Sequence, residues 1–523
     1  MRFKIDLNPH FKQALALMEQ GDRHVFVTGK AGTGKSTLLQ VFRERAKKSL
    51  VVLAPTGVAA VNVKGQTIHS FFRFKPDITP ASVKDVAVHA KDRETYKKLQ
   101  ALVIDEMSMV RADLMDCIDI FLRLHGTKKR APFGGVQLIS FGDLYQLPPV
   151  VTSREREIFA GHYKSPYFFD ARVFSELKPE IIELEKIYRQ TDDRFISLLN
   201  AIRNNTAGVE EIGTLNKRHD PEFEPQKHEQ YIYLTTTNAG AEAINARELA
   251  KLKGKLYTFQ GVARGAFDKS HLPTSENLSL KVGSQVMMVN NDSAGRWING
   301  TIGVIVNVSY DAESENECIE VQLQDGDVEK VSPYTWDLYN FRYNQATREI
   351  ESDTVGSFTQ YPMMLAWAVT IHKSQGKTFE KVIVDIERGT FAHGQLYVAL
   401  SRCTSFEGLV LKKPIKKGHI WMDWRVVKFL TKYQYAKSEK ALSLKDKVKL
   451  IERAIAENRD LEITYLKAQD EKSRRVITPK TVGEMEYMGK SYIGTEAYCH
   501  TRRDTRVFRV DRILEVRVVI NKE

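Results

Sequence analysis

Eight consecutive residues, Gly29-Lys30-Ala31-Gly32-Thr33-Gly34-Lys35-Ser36, carry the spacing GxxxxGK[ST]. An apolar run, Val25-Phe26-Val27-Thr28, precedes them and a helical pattern follows. In that setting the glycines let backbone N–H groups close around phosphates, and the helix N-terminus adds partial positive charge. Lys35 would reach the β- and γ-phosphates, and Ser36 would hold Mg²⁺. Leu102-Val103-Ile104-Asp105-Glu106 sets two carboxylates at the end of another apolar strand. Asp105 would position the metal and Glu106 would activate the attacking water. Gln146, in Phe141-Gly142-Asp143-Leu144-Tyr145-Gln146-Leu147-Pro148-Pro149, follows the next strand and could sense the γ-phosphate and relay its loss. Together these residue types are suited to hydrolysing a nucleoside triphosphate.

The elements that must position them alternate. Val25–Thr28, Leu50–Leu53, Leu102–Ile104 and Gln137–Phe141 are short apolar runs, several of them separated by helical patterns. That is the pattern of a buried parallel sheet with helices on both faces. A charged stretch over 74–99, with prolines at 76 and 80, interrupts it as a small insertion. A second α/β section uses Tyr231–Leu234 and Lys381–Asp385. Between them, 262–353 is β-branched or alternating, with Asn-Gly and Asp-Gly turns at 299–300 and 325–326, and reads as an inserted small β-barrel. Its acidic run, Asp311 to Glu317, reads as a solvated loop.

The chain has 523 residues, 42% hydrophobic and 28% charged, which excludes wholesale disorder and fits three or four domains at about 150 residues each. No apolar run approaches the ~18 residues of a membrane span, so no membrane partner is expected. The charged stretch Met1–Asp6 lacks an apolar h-region, which favours a cytoplasmic protein. Cys117, Cys318, Cys403 and Cys499 lie far apart, as in a reducing compartment and unlike a zinc site. The net charge of +12 is uneven: residues 412–523 hold 27 basic and 16 acidic residues, and the other 411 hold 51 and 50. A polyanion contact by the C-terminal segment and a merely solvated charged face are both compatible with that imbalance.

Eight segments in register are together highly specific. They are the run at 29–37, Ala54-Pro55-Thr56-Gly57-Val58-Ala59-Ala60, Gly65-Gln66-Thr67-Ile68-His69-Ser70-Phe71-Phe72, Ile104–Met109, Gly142–Pro149, Leu184-Glu185-Lys186-Ile187-Tyr188-Arg189-Gln190, Thr370-Ile371-His372-Lys373-Ser374-Gln375-Gly376-Lys377-Thr378 and Tyr397–Arg402. Over residues 7–411 the chain resembles the superfamily 1B DNA helicases, most closely the Pif family and its RecD and Dda relatives. The resemblance implies two RecA-like lobes, 1–178 and 179–261 with 354–411, with ATP in the cleft between them. It implies phosphate contacts from Gly29, Ala31, Gly32, Thr33, Gly34, Lys35, Ser36 and Thr37, and γ-phosphate contacts from Gln146 and Gly376. Arg189 and Arg402 would reach the γ-phosphate from the second lobe. Family members carry an adenine-reading Gln near the start; Phe11 stands in that slot here, and Gln13 is the nearest glutamine.

The same resemblance implies single-stranded DNA across both lobes, held by Thr56, His69, Ser70 and Phe72 on the first and His372, Lys373 and Ser374 on the second. Phe71 and Phe72 are adjacent, so one is expected to face the core. The 74–99 insertion would be the strand-separating wedge, and the 262–353 barrel would cover the DNA path, with Arg296–Thr301 as its hairpin. The implied activity is ATP-dependent, 5′-to-3′ translocation and unwinding by a monomer, on forked or structured DNA and on RNA–DNA hybrids. The alternative is a DNA-stimulated ATPase that works as a nucleotide switch.

After a basic connector (412–445), residues 446–523 resemble the WYL domains of bacterial regulators, although the naming triplet is Ser491-Tyr492-Ile493 here. That implies a small β-barrel binding single-stranded DNA or a nucleotide-like ligand. Tyr465, Arg475, Tyr492 and Arg506 are its candidate stacking and cationic residues. A core role for the tyrosines and a solvated face for the arginines is the competing reading.

Overall fold

The computed structural model describes all residues except 1–7, 22, 152–158, 160, 191, 227–228, 268–271, 312–315, 387–388, 391, 468–469 and 520–523. The N-terminal stretch and most of the acidic run noted above therefore lie outside the described residues. Two compact units emerge: Met1–Arg203 with Ala207–Trp421, and Met422–Glu523 with Asn204–Thr206.

The first lobe of the larger unit is a six-stranded sheet of β1 (Val25–Gly29), β2 (Leu50–Ala54), β3 (Gln66–Thr67), β4 (Ala101–Ile104), β5 (Gln137–Phe141) and β6 (Glu180–Leu184). The spatial order is β3-β2-β4-β5-β1-β6, and every pairing is parallel. All of β1, β4 and β5 is buried, which is why these strands read as unbroken apolar runs. Ligands in such sheets bind at the carboxyl ends of the strands. The P-loop leaves the end of β1, Asp105-Glu106 the end of β4, and Gly142–Pro149 the end of β5.

Short helices complete this edge. Helix α1 (Pro9–Gln20) is capped by Asn8, whose Oδ1 accepts the Phe11 N–H, and Gly21 ends it in the left-handed region. Helix α2 (Lys35–Arg45) follows the P-loop; α3 (Gly57–Asn62) and α4 (Ile68–Phe72) are capped by the Thr56 and Thr67 hydroxyls. The 74–99 segment contains the helix α5 (Ala90–Lys98), tied to the lobe where the Tyr96 hydroxyl donates to the Phe71 carbonyl at 2.9 Å.

The second lobe is a four-stranded parallel sheet ordered 368–370, 232–235, 382–385, 409–411. A β-rich insertion lies within it, from Tyr257 to Leu365. It holds a five-stranded sheet and a long ribbon, Tyr334–Asn344 with Glu349–Gln360, and packs around Val286, Met288, Ile305, Ile319 and Val321.

In the smaller unit, helices Trp424–Ala441 and Leu444–Ala456 accompany a five-stranded antiparallel sheet. Its order is 504–509, 490–499, 472–487, 461–466, 513–518. Ile451, Ile463, Ile477, Ala497, Phe508 and Ile513 form the core. The alternation of strand 504–509 turns Phe508 inward and leaves Val507 half exposed.

Candidate active site

The P-loop is closed on itself and clasped by the second lobe. Lys35 Nζ donates to the carbonyls of Gly29 at 2.7 Å and Lys30 at 3.0 Å. Thr33, fully buried, donates its hydroxyl to Lys30 O. Gly32 has φ +77°, and a Cβ there would sit 2.4 Å from the Cβ of Arg189, so only glycine allows this approach. The Tyr188 N–H donates to Gly32 O at 2.8 Å, and the Ala31 N–H donates to the Tyr397 hydroxyl at 3.0 Å. Ser36 and Thr37 stand exposed on the first turn of α2.

Glu106 adopts φ 50°, ψ 44°, a left-handed conformation unusual for a carboxylate residue and common at strained functional positions. Burial, then the neighbouring Asp105 charge, pushes the Glu106 carboxyl up to about 7. Burial also raises Asp105 and lowers Lys35. Glu106 Oε2 accepts from Gln375 Nε2 at 3.0 Å; that same nitrogen is 3.4 Å from Gln146 Oε1. Gln146 Nε2 in turn donates to Asp143 Oδ2 at 3.3 Å.

Two arginines stand between the lobes. Arg189 donates to the carbonyls of Ser401 at 3.3 Å and Gly376 at 3.4 Å. Arg402 is 1% exposed and donates to Val398 O, Lys377 O and the Ser401 hydroxyl. Among the described residues neither guanidinium meets a carboxylate. Burial holds Arg189 down to about 10 and Arg402 down to about 9, the latter also through repulsion by Arg189. Half-buried Arg189 and buried Arg402, with only neutral oxygen partners among the described residues, form a socket for an anion beside the P-loop.

Three expectations are corrected by packing. Phe72 is 0% exposed, stacked on Phe74 and edge-on to Phe121, so its ring is core and offers no face to a base. Ser374 is also 0% exposed and its hydroxyl donates to Ile371 O. Gln13 is exposed, two residues and about 200° around α1 from Phe11. Phe11 itself is buried against the P-loop: a Cβ on Gly34 would lie 3.0 Å from its ring. The other candidate strand contacts remain accessible. Thr56 and His69 are half-buried, Ser70 is exposed and accepts from Gln66, His372 is half-buried, and Lys373 is exposed.

In the smaller unit the four candidate residues take different partners. Arg475 is nearly buried and donates to the Ser473 hydroxyl and, at 3.6 Å, to Cys499 Sγ. Tyr465 packs edge-on against Phe508. Arg506 is exposed beside Asp504. The cation over the Tyr492 ring is Arg509, at 5.1 Å, and not Arg506.

The residues not anticipated are Gln375, Asp143, Tyr397 and Arg203. The first three lie inside the motifs at 370–378, 142–149 and 397–402, so position alone could have flagged them. Arg203, at the end of helix Asp193–Arg203, carries no local signal.

A profile for PIF1-like helicase matches residues 9–211, and one for the WYL domain matches 446–518. The "ATP-dependent DNA helicase Pif1" of Bdellovibrio bacteriovorus is 30% identical over 416 residues, 78% of this chain and 88% of that protein. The chain belongs to the PIF1-like helicase family. Human "ATP-dependent DNA helicase PIF1" is 36% identical over 392 residues, covering 74% of this chain. The chain spans 57% of that human relative's length. Among solved members of the family, Pif1 from Bacteroides sp in complex with ADP-AlF4 superposes with a TM-score of 0.75 at 38% identity, over 82% of this chain and 97% of that one. The same Bacteroides protein bound to ssDNA matches at 0.60 and 37% identity, over 84% and 98%.

Proposed function

We propose that this chain is an ATP-dependent DNA helicase. It translocates 5′ to 3′ on single-stranded DNA as a monomer and opens forked or structured duplexes, RNA–DNA hybrids included. The carrying observation is the anion socket, in which half-buried Arg189 and buried Arg402 stand beside a P-loop with no carboxylate partner among the described residues. A γ-phosphate satisfies both. Arginines placed this way accelerate phosphoryl transfer by about 10³-fold or more.

Each residue then has a defined task. Backbone N–H groups of 29–34 and Lys35 hold the phosphates. Ser36 and Asp105, one hydroxyl and one carboxylate, suit Mg²⁺, which takes few protein ligands and keeps several waters; bound there it neutralises phosphate charge. Glu106, raised by burial toward neutrality, takes the proton of the attacking water. Gln375 joins Glu106 to Gln146 and sits two residues from Lys373, so loss of the γ-phosphate shifts the loop that grips DNA. Thr56, His69, Ser70, His372 and Lys373 hold the strand, segment 74–99 splits the duplex and the β-rich insertion covers the path. The protein works in the cytoplasm, and the WYL domain adds a contact to single-stranded DNA or a nucleotide-like ligand.

The test is unwinding of forked duplexes with 5′ or 3′ tails by the full chain and by Glu106→Gln. Wild-type protein should open only the 5′-tailed substrate and the variant neither. Unwinding by Glu106→Gln overturns the mechanism, and ATP hydrolysis unaffected by single-stranded DNA favours a nucleotide switch.

A further inference from the structure

Asn299 stands in a turn of the β-rich insertion, closed where the Thr301 N–H donates to Ile298 O, and bonds from there to both lobes. Its Nδ2 donates to Asn62 Oδ1 of the first lobe at 2.8 Å, and its Oδ1 accepts from Lys377 Nζ of the second at 2.7 Å. An ammonium can only donate, so the Lys377 bond fixes which amide atom is the oxygen, and the Asn62 bond follows from it. A third tie stays within the insertion, from the Asn299 N–H to Asn291 Oδ1 at 2.8 Å. The next residue brings the backbone close: Gly300 has φ +103°, and a Cβ there would stand 3.3 Å from Lys377 Cβ. The hairpin therefore rests directly on Lys377.

Lys377 also belongs to the anion socket. Its carbonyl accepts from Arg402 Nη1 at 3.2 Å, and the Gly376 carbonyl before it accepts from Arg189 Nη2 at 3.4 Å. One residue thus holds the socket with its backbone and the hairpin with its side chain. The side-chain end is the weaker. Lys377 is 9% exposed, and among the described residues Asn299 Oδ1 is the sole partner of its ammonium. One neutral oxygen offsets only part of the cost of burying a charge, so a small shift of the loop is enough to part them. On the other side, Asn62 ends α3, the helix capped by Thr56, a candidate strand contact.

A γ-phosphate in the socket competes for both guanidiniums, and the Gly376 and Lys377 carbonyls then lose their donors. We propose that Asn299 is a positioning residue for the ATP-driven step. With the socket empty it latches the hairpin to both lobes through Lys377 and Asn62; with γ-phosphate bound, Lys377 is drawn off it and the hairpin is freed over the DNA path. The inference rests on the reading of the socket as the γ-phosphate site, and adds a route from that site to the insertion.

The test is amide hydrogen exchange of the peptides covering 296–301 in the full chain, Asn299→Leu and Asn299→Asp. Each is measured without nucleotide, with ADP, and with ADP plus aluminium fluoride as the γ-phosphate mimic. In wild type the mimic should speed exchange about 10-fold over ADP, the size expected for losing one hydrogen bond to a charged group. Asn299→Leu, which has no latch, should exchange fast in all three states. Asn299→Asp pairs its carboxylate with Lys377, and the Asn62 amide can turn to donate to it, so this hairpin should stay protected even with the mimic. The Asp variant keeps every partner and decides the matter if the Leu variant fails to fold. A merely structural Asn299 would leave the ratio of exchange between mimic and ADP as in wild type in both variants, and that result overturns the latch. So does a wild-type hairpin that binds the mimic, by calorimetric titration, without a change in exchange. Failure of the mimic to bind at all overturns the socket reading, and the latch with it.

Discussion

Arg203 Nη2 lies 3.3 Å from Asp143 Oδ1, with side chains 4% and 0% exposed, and its guanidinium covers the Tyr145 ring at 3.9 Å. This ion pair joins a second-lobe helix to the loop after β5. Through Asp143, Gln146 and Gln375 it continues to Glu106. The polar chain therefore runs from the Glu106 carboxylate to the body of the other lobe.

Removing one partner of a buried pair leaves an uncompensated charge and costs about 3–5 kcal/mol. Arg203→Met should lower unfolding stability by that order, and Asp143→Asn together with Arg203→Met by less than the sum of the singles. The mechanistic reading also expects Arg203→Met to retain nucleotide binding but lose stimulation of hydrolysis by single-stranded DNA. Undiminished stimulation would leave the pair a structural clamp only.

Tyr397 makes a second bond across the cleft, accepting the Ala31 N–H that a phosphate would claim. Burial raises its phenol to about 12, so the hydroxyl stays protonated through the working range. Nucleotide must displace it. Tyr397→Phe leaves that N–H unsatisfied in the empty state and should tighten ADP binding about 2- to 10-fold, at roughly 1 kcal/mol per hydrogen bond. Weaker ADP binding, measured by fluorescence titration, would place the hydroxyl on the nucleotide instead.

Base discrimination should be weak. Polar readout by a site separates ligands by about 10⁴-fold, and apolar contact by far less. Here the slot is filled by the buried Phe11, and the nearby Tyr188 hydroxyl accepts from Asn8 Nδ2, whose Oδ1 is already bonded to the Phe11 N–H. Among the described residues the Asn8 amide is engaged at both its oxygen and its nitrogen, and Gln13 faces solvent. ATP and GTP should be hydrolysed with kcat/KM values within about tenfold. A preference of a thousandfold or more for ATP would show that a polar group reads the base.

What was legible in the sequence is what chemistry forces to be contiguous. A phosphate cradle needs successive backbone N–H groups, so Gly29–Ser36 is readable as a string, as is the carboxylate pair at a strand end. What was illegible depends on packing. Phe71 and Phe72 both prove buried, because Tyr96 and Phe341 close one side of their short helix while Phe74 and Phe121 close the other. Ser374 turns inward to its own loop. Arg203 gains its partner only when two lobes meet. None of these leaves a periodicity or a spacing.

Lys377 supplies a pH signature. It is 9% exposed, its ammonium donates to Asn299 Oδ1, and no carboxylate faces it among the described residues. Burial pushes it from 10.5 down to about 8. Below pH 8 the amine is charged in both folded and unfolded chains, and the fold carries the full penalty of burying it. Between pH 8 and 10.5 the unfolded chain binds the proton that the folded one has lost, so stability from this group rises with pH. The full excursion is on the order of 3 kcal/mol. Lys377→Met removes the titration. Urea unfolding of both proteins at pH 7.5, 9 and 10.5 should show wild type gaining on the variant across the series, and a constant difference would mean that Lys377 keeps an ordinary pKa in the fold.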